Sequence, residues 1–431
     1  MPGMRGTPDK RLLRHPDGPV AAFRLLLWAL LWLAPAAAAG AIHFSLPEYR
    51  LQPGQLAVIV NDADPLSVKI GEYYMRARRL PLRNLLHVRF EPGRPRMSTE
   101  AFSALRDAIY TGTPPGIQAY AITWAAPYRV DCMSITSALT FGFDRSWCSS
   151  RTCAATRRSP YFGYAGTTPW DDLGIRPSIS IAATRFADAR ALIDRGVAAD
   201  GTRPEGTAYL VSTSDRARNV RAGRYTAIAA ALQTRVETRI VKTDALRDRN
   251  DVLFYFTGKS RVTHLDTLHF RPGAIADHLT SAGGQLTDSR QMSALRWLQA
   301  GATGSYGTVV EPCNLPGKFP DPGLVMERYT SGRTLLEAYW QSVQQPGEGI
   351  FVGEPLAAPF AGEARVEAGE GQLVLYTNSL LPGSYRVDYA EFPVGPWRTL
   401  GALRVTRLQS SFVLPREGDG YYRLIAPTST D

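Results

Sequence analysis

"LAVIVNDADPLSVKIGEYYMRAR", residues 56–78, sets a short continuous apolar run directly before a helix with visible start signals. Asp64 is placed to cap the helix N-terminus, Pro65 stands at its first position, and apolar residues then recur at helical spacing. Working outward, "LLHVRF" (85–90) predicts a second strand. "STEAFSALRDAIYTG" (98–112) opens with Ser98 or Thr99 as cap and keeps Phe102, Leu105 and Ile109 on one face. "IQAYAITWAAPYRV" (117–130) reads as a third strand that emerges into a loop. Strands and helices alternating in this order predict a parallel sheet with crossover helices.

Residues 131–176 break the pattern. Ser, Thr, Cys and aromatic residues dominate and no period persists, which marks a long structured insertion of the kind that is usually functional or stapled. The α/β alternation resumes with "SISIAAT", a helix over 186–201, the strand "TAYLVST", a helix through "RAGRYTAIAAALQ", and the strands "TRIVKT" and "DVLFYFTG". A hairpin-like segment (261–287), a short helix (289–301), a strand over 303–311 and the helix "TLLEAYWQSVQQ" follow. From about residue 364 short alternating runs are separated by Gly, Pro and Asn turns, the pattern of a small β-sandwich or of a β-rich extension on the main body.

The first 41 residues carry a basic lead with Arg5, Lys10, Arg11 and Arg14, the apolar run "LLLWALLWLAP", and the small-residue tail "AAAAGA". This is the layout of a secretory signal peptide, with mature protein expected to start near Gly40 or Ala41. No other stretch approaches the roughly 20 apolar residues a membrane helix needs. The expectation is an exported protein, periplasmic or extracellular, without an integral span once the leader is removed. The leader's five basic and two acidic residues account for part of the formal charge of +10, leaving about +7. The remaining arginines are scattered among acids rather than blocked together, so nucleic acid is not an expected partner.

Four cysteines in an oxidising compartment favour disulfides and allow three pairings. Cys148 and Cys153 in "CSSRTC" can close a short loop, which leaves Cys132 and Cys313 either paired or free.

The order of elements resembles the gingipain-type caspase-like cysteine peptidases, in which two α/β subdomains precede an immunoglobulin-like domain. "LAVIV" with its helix and "AYAITW" are similar to the first subdomain. "RPSISIAATRFADARALIDRGVAADGTRPEGTAYLVSTSD" is similar to the bridge into the second, and "GIFVGEPLAAPF" to a Gly-Asp-Pro closing segment, with Glu354 in place of Asp. "VNDADPLSVKIGEYY", "GATGSYGTVVEPCN" and "GEPLAAPF" also resemble a conserved family of exported bacterial proteins with no assigned function. The implied fold class is α/β: caspase-like, mostly parallel sheets flanked by helices in two subdomains, plus a small C-terminal all-β immunoglobulin-like sandwich. The expected divisions are a signal peptide (1–41), a first α/β subdomain (42–190) with the insertion, a second (191–363), and the β-sandwich (364–431).

The resemblance implies a cysteine nucleophile activated by a histidine at the carboxyl ends of neighbouring parallel strands. Cys313 follows the strand "GSYGTVV" and is the candidate nucleophile. The family's Gly-His-Gly after the preceding strand is absent; Thr257, Gly258, Lys259 and Ser260 stand there. His278, beside Asp277 and before a Gly-rich loop, is the candidate base, with His264 second; backbone N–H groups near 304–307 or 283–284 would hold an oxyanion. Asp62, Asp64, Arg129 and Glu311 are candidate substrate-binding residues, although a turn and helix cap explain Asp64 completely. A peptide or protein is the implied substrate and no cofactor is expected. His264, Asp266 and His269 in "HLDTLH" fit no common metal-ligand spacing. The other reading is a catalytically inactive member, a binding module with its cysteines in disulfides.

Overall fold

The computed structural model describes residues 42–426, apart from 48, 150–152, 363, 364, 378, 381, 407 and 408; the expected signal peptide lies outside the described residues. The chain begins β1 (His43–Ser45), β2 (Leu56–Asn61), α1 (Pro65–Ala77), β3 (Leu85–Val88), β4 (Arg96–Met97), α2 (Thr99–Gly112) and β5 (Ala119–Ile122). The expected insertion holds β6 (Arg129–Val130), β7 (Met133–Ser134), α3 (Ile135–Phe141) and α4 (Pro169–Leu173), and leads to β8 (Ser178–Ser180). Next come α5 (Phe186–Ala199), β9 (Thr207–Ser212), α6 (Tyr225–Leu232), β10 (Glu237–Lys242), β11 (Arg249–Gly258), β12 (Leu268–Leu279) and α7 (Leu295–Ala300). β13 (Gly304–Thr308), α8 (Pro322–Thr330), α9 (Leu335–Trp340) and β14 (Gly349–Gly353) complete the α/β body.

Local chemistry explains the first unit. β2 is buried at every position, as a strand covered on both faces must be. The Asp64 carboxylate accepts the Leu66 N–H at 3.0 Å, and Pro65 opens α1. Gly71 lets α1 lie close on the sheet: a Cβ there would stand 2.2 Å from Val60 Cγ1.

These elements build one ten-stranded sheet in the order β10-β9-β11-β12-β13-β14-β8-β5-β2-β3. Its strands pair in parallel on both sides of one antiparallel junction, β13 with β14, and β14 meets β8 through the single pair Val352 with Ser180. A mixed α/β architecture with a large, mostly parallel sheet and covering helices is therefore established.

The segment expected as a hairpin is instead β12, a twelve-residue strand lying between β11 and β13. Pro272 and Gly273 within it look like a turn in the sequence. They fall at an irregularity, where the register with β11 jumps between Val252–Phe270 and Phe254–Ile275, and Gly273 takes a φ of 86° that a side chain would resist.

β15 (Arg365–Ala368), β16 (Gln372–Tyr376), β17 (Gly383–Ala390), β18 (Arg398–Val405), β19 (Ser411–Pro415) and β20 (Tyr421–Ile425) form two small sheets, β15-β16-β19 and β1-β20-β17-β18. Leu373, Leu375, Tyr385, Val387, Phe412 and Leu424 fill the space between them. Among the described residues no helix is long and apolar enough to cross a membrane.

Candidate functional site

Open α/β sheets bind ligands in the crevice outside the carboxyl ends of their strands. Here loops from distant parts of the chain converge beyond the carboxyl ends of β12 and β13. The Tyr128 hydroxyl, in the loop leaving β5, donates to Asp288 Oδ1 at 2.6 Å, in the loop leaving β12. Ser134, the N-cap of α3, donates to the Gly349 carbonyl. Lys318 and Glu348 form a buried ion pair at 2.9 Å, and the same carboxylate accepts the Ser149 N–H.

Cys313 sits five residues past the last pair of β13 with β14, at a left-handed φ of 58°, and its N–H donates to Glu311 Oε1 at 2.8 Å. Its sulfur is bonded to Cys153, and Cys132 is bonded to Cys148, with Cα separations of 5.5 and 5.7 Å. The Cys148–Cys153 pairing, with Cys132 and Cys313 either paired to each other or free, is thereby corrected. The turn at Arg145–Trp147 brings Cys148 back to the start of the insertion beside Cys132, and Cys153 lies farther along, where it meets the loop after β13. All four cysteines are bonded, so none offers a thiolate.

His278 is not at a loop end. β12 runs through it to Leu279, and the side chain is buried with both ring nitrogens engaged. Nε2–H donates to the Met292 carbonyl at 3.0 Å, and Nδ1 accepts from Trp297 Nε1 at 2.9 Å. Loss of water holds the imidazole neutral, with its pKa lowered to about 3. Asp277 does not orient it, because successive strand residues face opposite sides; Asp277 pairs with buried Arg221 at 2.7 Å. As the protein is bonded, the Cys313 and His278 pair lacks both the free sulfur and the free lone pair that a nucleophile and its base require.

The second histidine fares no better. His264 precedes β12 at its amino end, the opposite end of that strand from Leu279. Nor is Cys313 on the strand next to β11, since β12 intervenes. Lys259, which follows β11, holds its ammonium 2.7 Å from Asp244, whose pKa falls to about 2 through that contact and the Ser214 N–H and hydroxyl. Gly304 to Gly307 lie inside β13, paired with β14, and the Gly284 N–H donates to the Thr308 carbonyl, so neither set is a ready oxyanion hole.

Asp62 accepts from the His87 ring at 2.7 Å, and Asp64 is the α1 cap. Arg129 lies on β6, half-buried, and Glu311 is exposed. Absent from the sequence reading is a fixed polar chain at the end of β12. Arg218 donates through Nε to Thr280 Oγ1 and through Nη1 to Asp215; Thr280 donates to Gln291 Oε1, which also accepts the Ala282 N–H. Thr280 directly follows Leu279, so recognising β12 as a strand would have marked it. Among the described residues no group of three or more His, Cys, Asp or Glu side chains could hold a metal ion.

Fold and loops together define a disulfide-tied α/β protein whose carboxyl edge is crowned by polar groups. No known protein-family profile matches the chain, and no curated protein matches it in sequence. Among solved structures it is similar to the complex of the pro- and mature domains of RgpB from Porphyromonas gingivalis, at 9% identity and a TM-score of 0.46, over 86% of this chain and 99% of that one. It is also similar to a structure described only as a protease, at 9% identity and a TM-score of 0.39, over 86% of this chain and 96% of that one. Neither likeness bears on what the site does.

Proposed function

We propose that this chain is an exported module of caspase-like, gingipain-like architecture, with an immunoglobulin-like C-terminal layer, that binds peptide segments at the carboxyl edge of its sheet without cutting them. The bond between Cys153 and Cys313 carries the reading: it removes the thiolate that a cysteine peptidase needs, and burial of His278 removes the base. Two disulfides fit an oxidising compartment, which supports export. Peptide as the ligand class follows from the sequence resemblance, and the carboxyl edge as its place follows from the convergence of loops there.

The test is a thiol-directed peptidase probe applied to the oxidised protein and to the double variant Cys153→Ser with Cys313→Ser, which leaves no unpaired sulfur, alongside a screen of random peptides for binding to the same samples. The expected result is no labelling of either and retention of a subset of peptides. Labelling of the oxidised wild type at Cys313, located by peptide mapping, would return Cys313 to the role of nucleophile.

A further inference from the structure

Arginines dominate the basic side of this chain, and several of those around the edge loops have an acid. Arg94 pairs with Glu91, and Arg145 with Asp131 at 3.0 Å. Arg218 pairs with Asp215, and Arg224 with Asp321. Asp288 already accepts from the Tyr128 hydroxyl.

Two arginines in the crown are set against each other. β4 and β6 run in parallel with Arg96 directly beside Arg129, and the Tyr128 N–H to Pro95 carbonyl bond fixes that register. Paired residues on adjacent strands share a face, with backbones about 4.8 Å apart. Among the described residues neither guanidinium has an ion pair, and Arg129 keeps a buried Nε without any hydrogen-bond partner. Like charges set directly opposite each other in a sheet are destabilising, and a buried unpaired donor adds a penalty of its own. A bound anion would offset both penalties.

We propose that Arg96 and Arg129 form a carboxylate-binding subsite, which rests on the peptide-binding reading above and narrows its ligand to acidic peptides. Two arginines paired across adjacent strands, Arg96 exposed and Arg129 half-buried, can present the forked donors that carboxylates accept in pairs. Tyr128, adjacent in sequence to Arg129, is tied to the loop leaving β12, so a peptide held here would lie along the carboxyl edge.

The experiment measures binding by calorimetry at low and moderate salt, using an N-acetylated Asp-Glu pentapeptide, the same peptide as its C-terminal amide, and its Asn-Gln counterpart. The acidic peptide should bind at least tenfold more tightly than the Asn-Gln one, weaken with salt, and lose at least tenfold in Arg129→Ala and in Arg96→Ala. Equal affinity for the acid and the amide places a side-chain carboxylate in the subsite; preference for the acid places the peptide terminus there. A thermal scan provides the second readout: Arg96→Ala should unfold at the same temperature as the wild type or a higher one, because repulsion is relieved. Equal binding of acidic and neutral peptides, or variants that unfold earlier with unchanged binding, overturns the subsite while leaving peptide binding intact. Failure of every peptide to bind overturns the underlying reading as well.

Discussion

Replacing Lys318 by methionine keeps the apolar stem and deletes the ammonium, leaving the Glu348 carboxylate alone in the interior. Lys318 Nζ stands 2.9 Å from Glu348 Oε1, and the two side chains are 0% and 1% exposed. The same oxygen accepts the Ser149 N–H at 2.7 Å, while Oε2 has no partner. Burial already raises the Glu348 pKa, and Lys318 works against that rise. Removing one member of such a pair typically destabilises a protein by about 3–5 kcal/mol, whereas removing both charges is often close to neutral. Lys318→Met should therefore lose about 3–5 kcal/mol in urea unfolding followed by tryptophan fluorescence. Adding Glu348→Gln, which keeps an acceptor for Ser149, should restore most of the loss. The sign of the pH dependence follows from linkage. With the ammonium gone, the folded-state pKa of Glu348 climbs further above its unfolded value, so the folded protein retains a proton that the unfolded chain releases. The defect should be small near the unfolded pKa, at about pH 4.5, and grow as pH rises through the folded pKa. A loss under about 1 kcal/mol, or one of the same size at about pH 5 and about pH 8, would refute the claim that this pair is desolvated.

Three further outcomes are expected. Cys153→Ser with Cys313→Ser removes a crosslink spanning 160 residues, worth up to roughly 5 kcal/mol by loop entropy, against roughly 3 kcal/mol for the 16-residue span of Cys132–Cys148; guanidinium midpoints of the two double variants compare them. His278 has a depressed folded pKa of about 3, so it contributes stability above the unfolded value of about 6.5 that is lost as pH falls toward 3, by about 1.4 kcal/mol per unit. His278→Phe should flatten that part of the pH profile in thermal scans, and an unchanged slope would show that other groups cause it. Gly284→Ala should prevent soluble folding, since its Cβ would stand 2.5 Å from the Gly307 carbonyl oxygen, a backbone atom that cannot turn aside; normal yield and melting would contradict the packing described.

The β2 and α1 unit was legible because a continuous apolar run and an Asp-Pro start each report a local preference that the fold keeps. α8 carried the same signal, with Asp321 accepting the Gly323 and Leu324 N–H groups ahead of a helix with Pro322 at its first position, yet Asp-Pro-Gly also reads as a turn. β12 was hidden by Pro272 and Gly273, which local rules assign to a turn and which the sheet absorbs as an irregularity. That single misreading moved His278 from a strand interior to a loop end and made β11 seem adjacent to β13. The cysteine pairing was illegible for another reason: spacing along the chain constrains loop size but not which loops meet in space. Arg129 was named as a binding residue, but its partnership with Arg96 depends on strand register, which no local pattern fixes.

β1 is the first described strand to be synthesised and β20 the last, yet they are neighbours, with His43, Phe44 and Ser45 beside Tyr421, Tyr422 and Arg423. The His43 ring stacks on Tyr421 with centroids 4.7 Å apart. During synthesis the leading strand must therefore wait, unpaired, until almost the whole polypeptide has been made. Once the trailing strand arrives, the first and last described strands close that small sheet on each other. A pull on the segments flanking β1 and β20 is then borne first by that short parallel seam, and the ten-stranded sheet is loaded only after the seam opens.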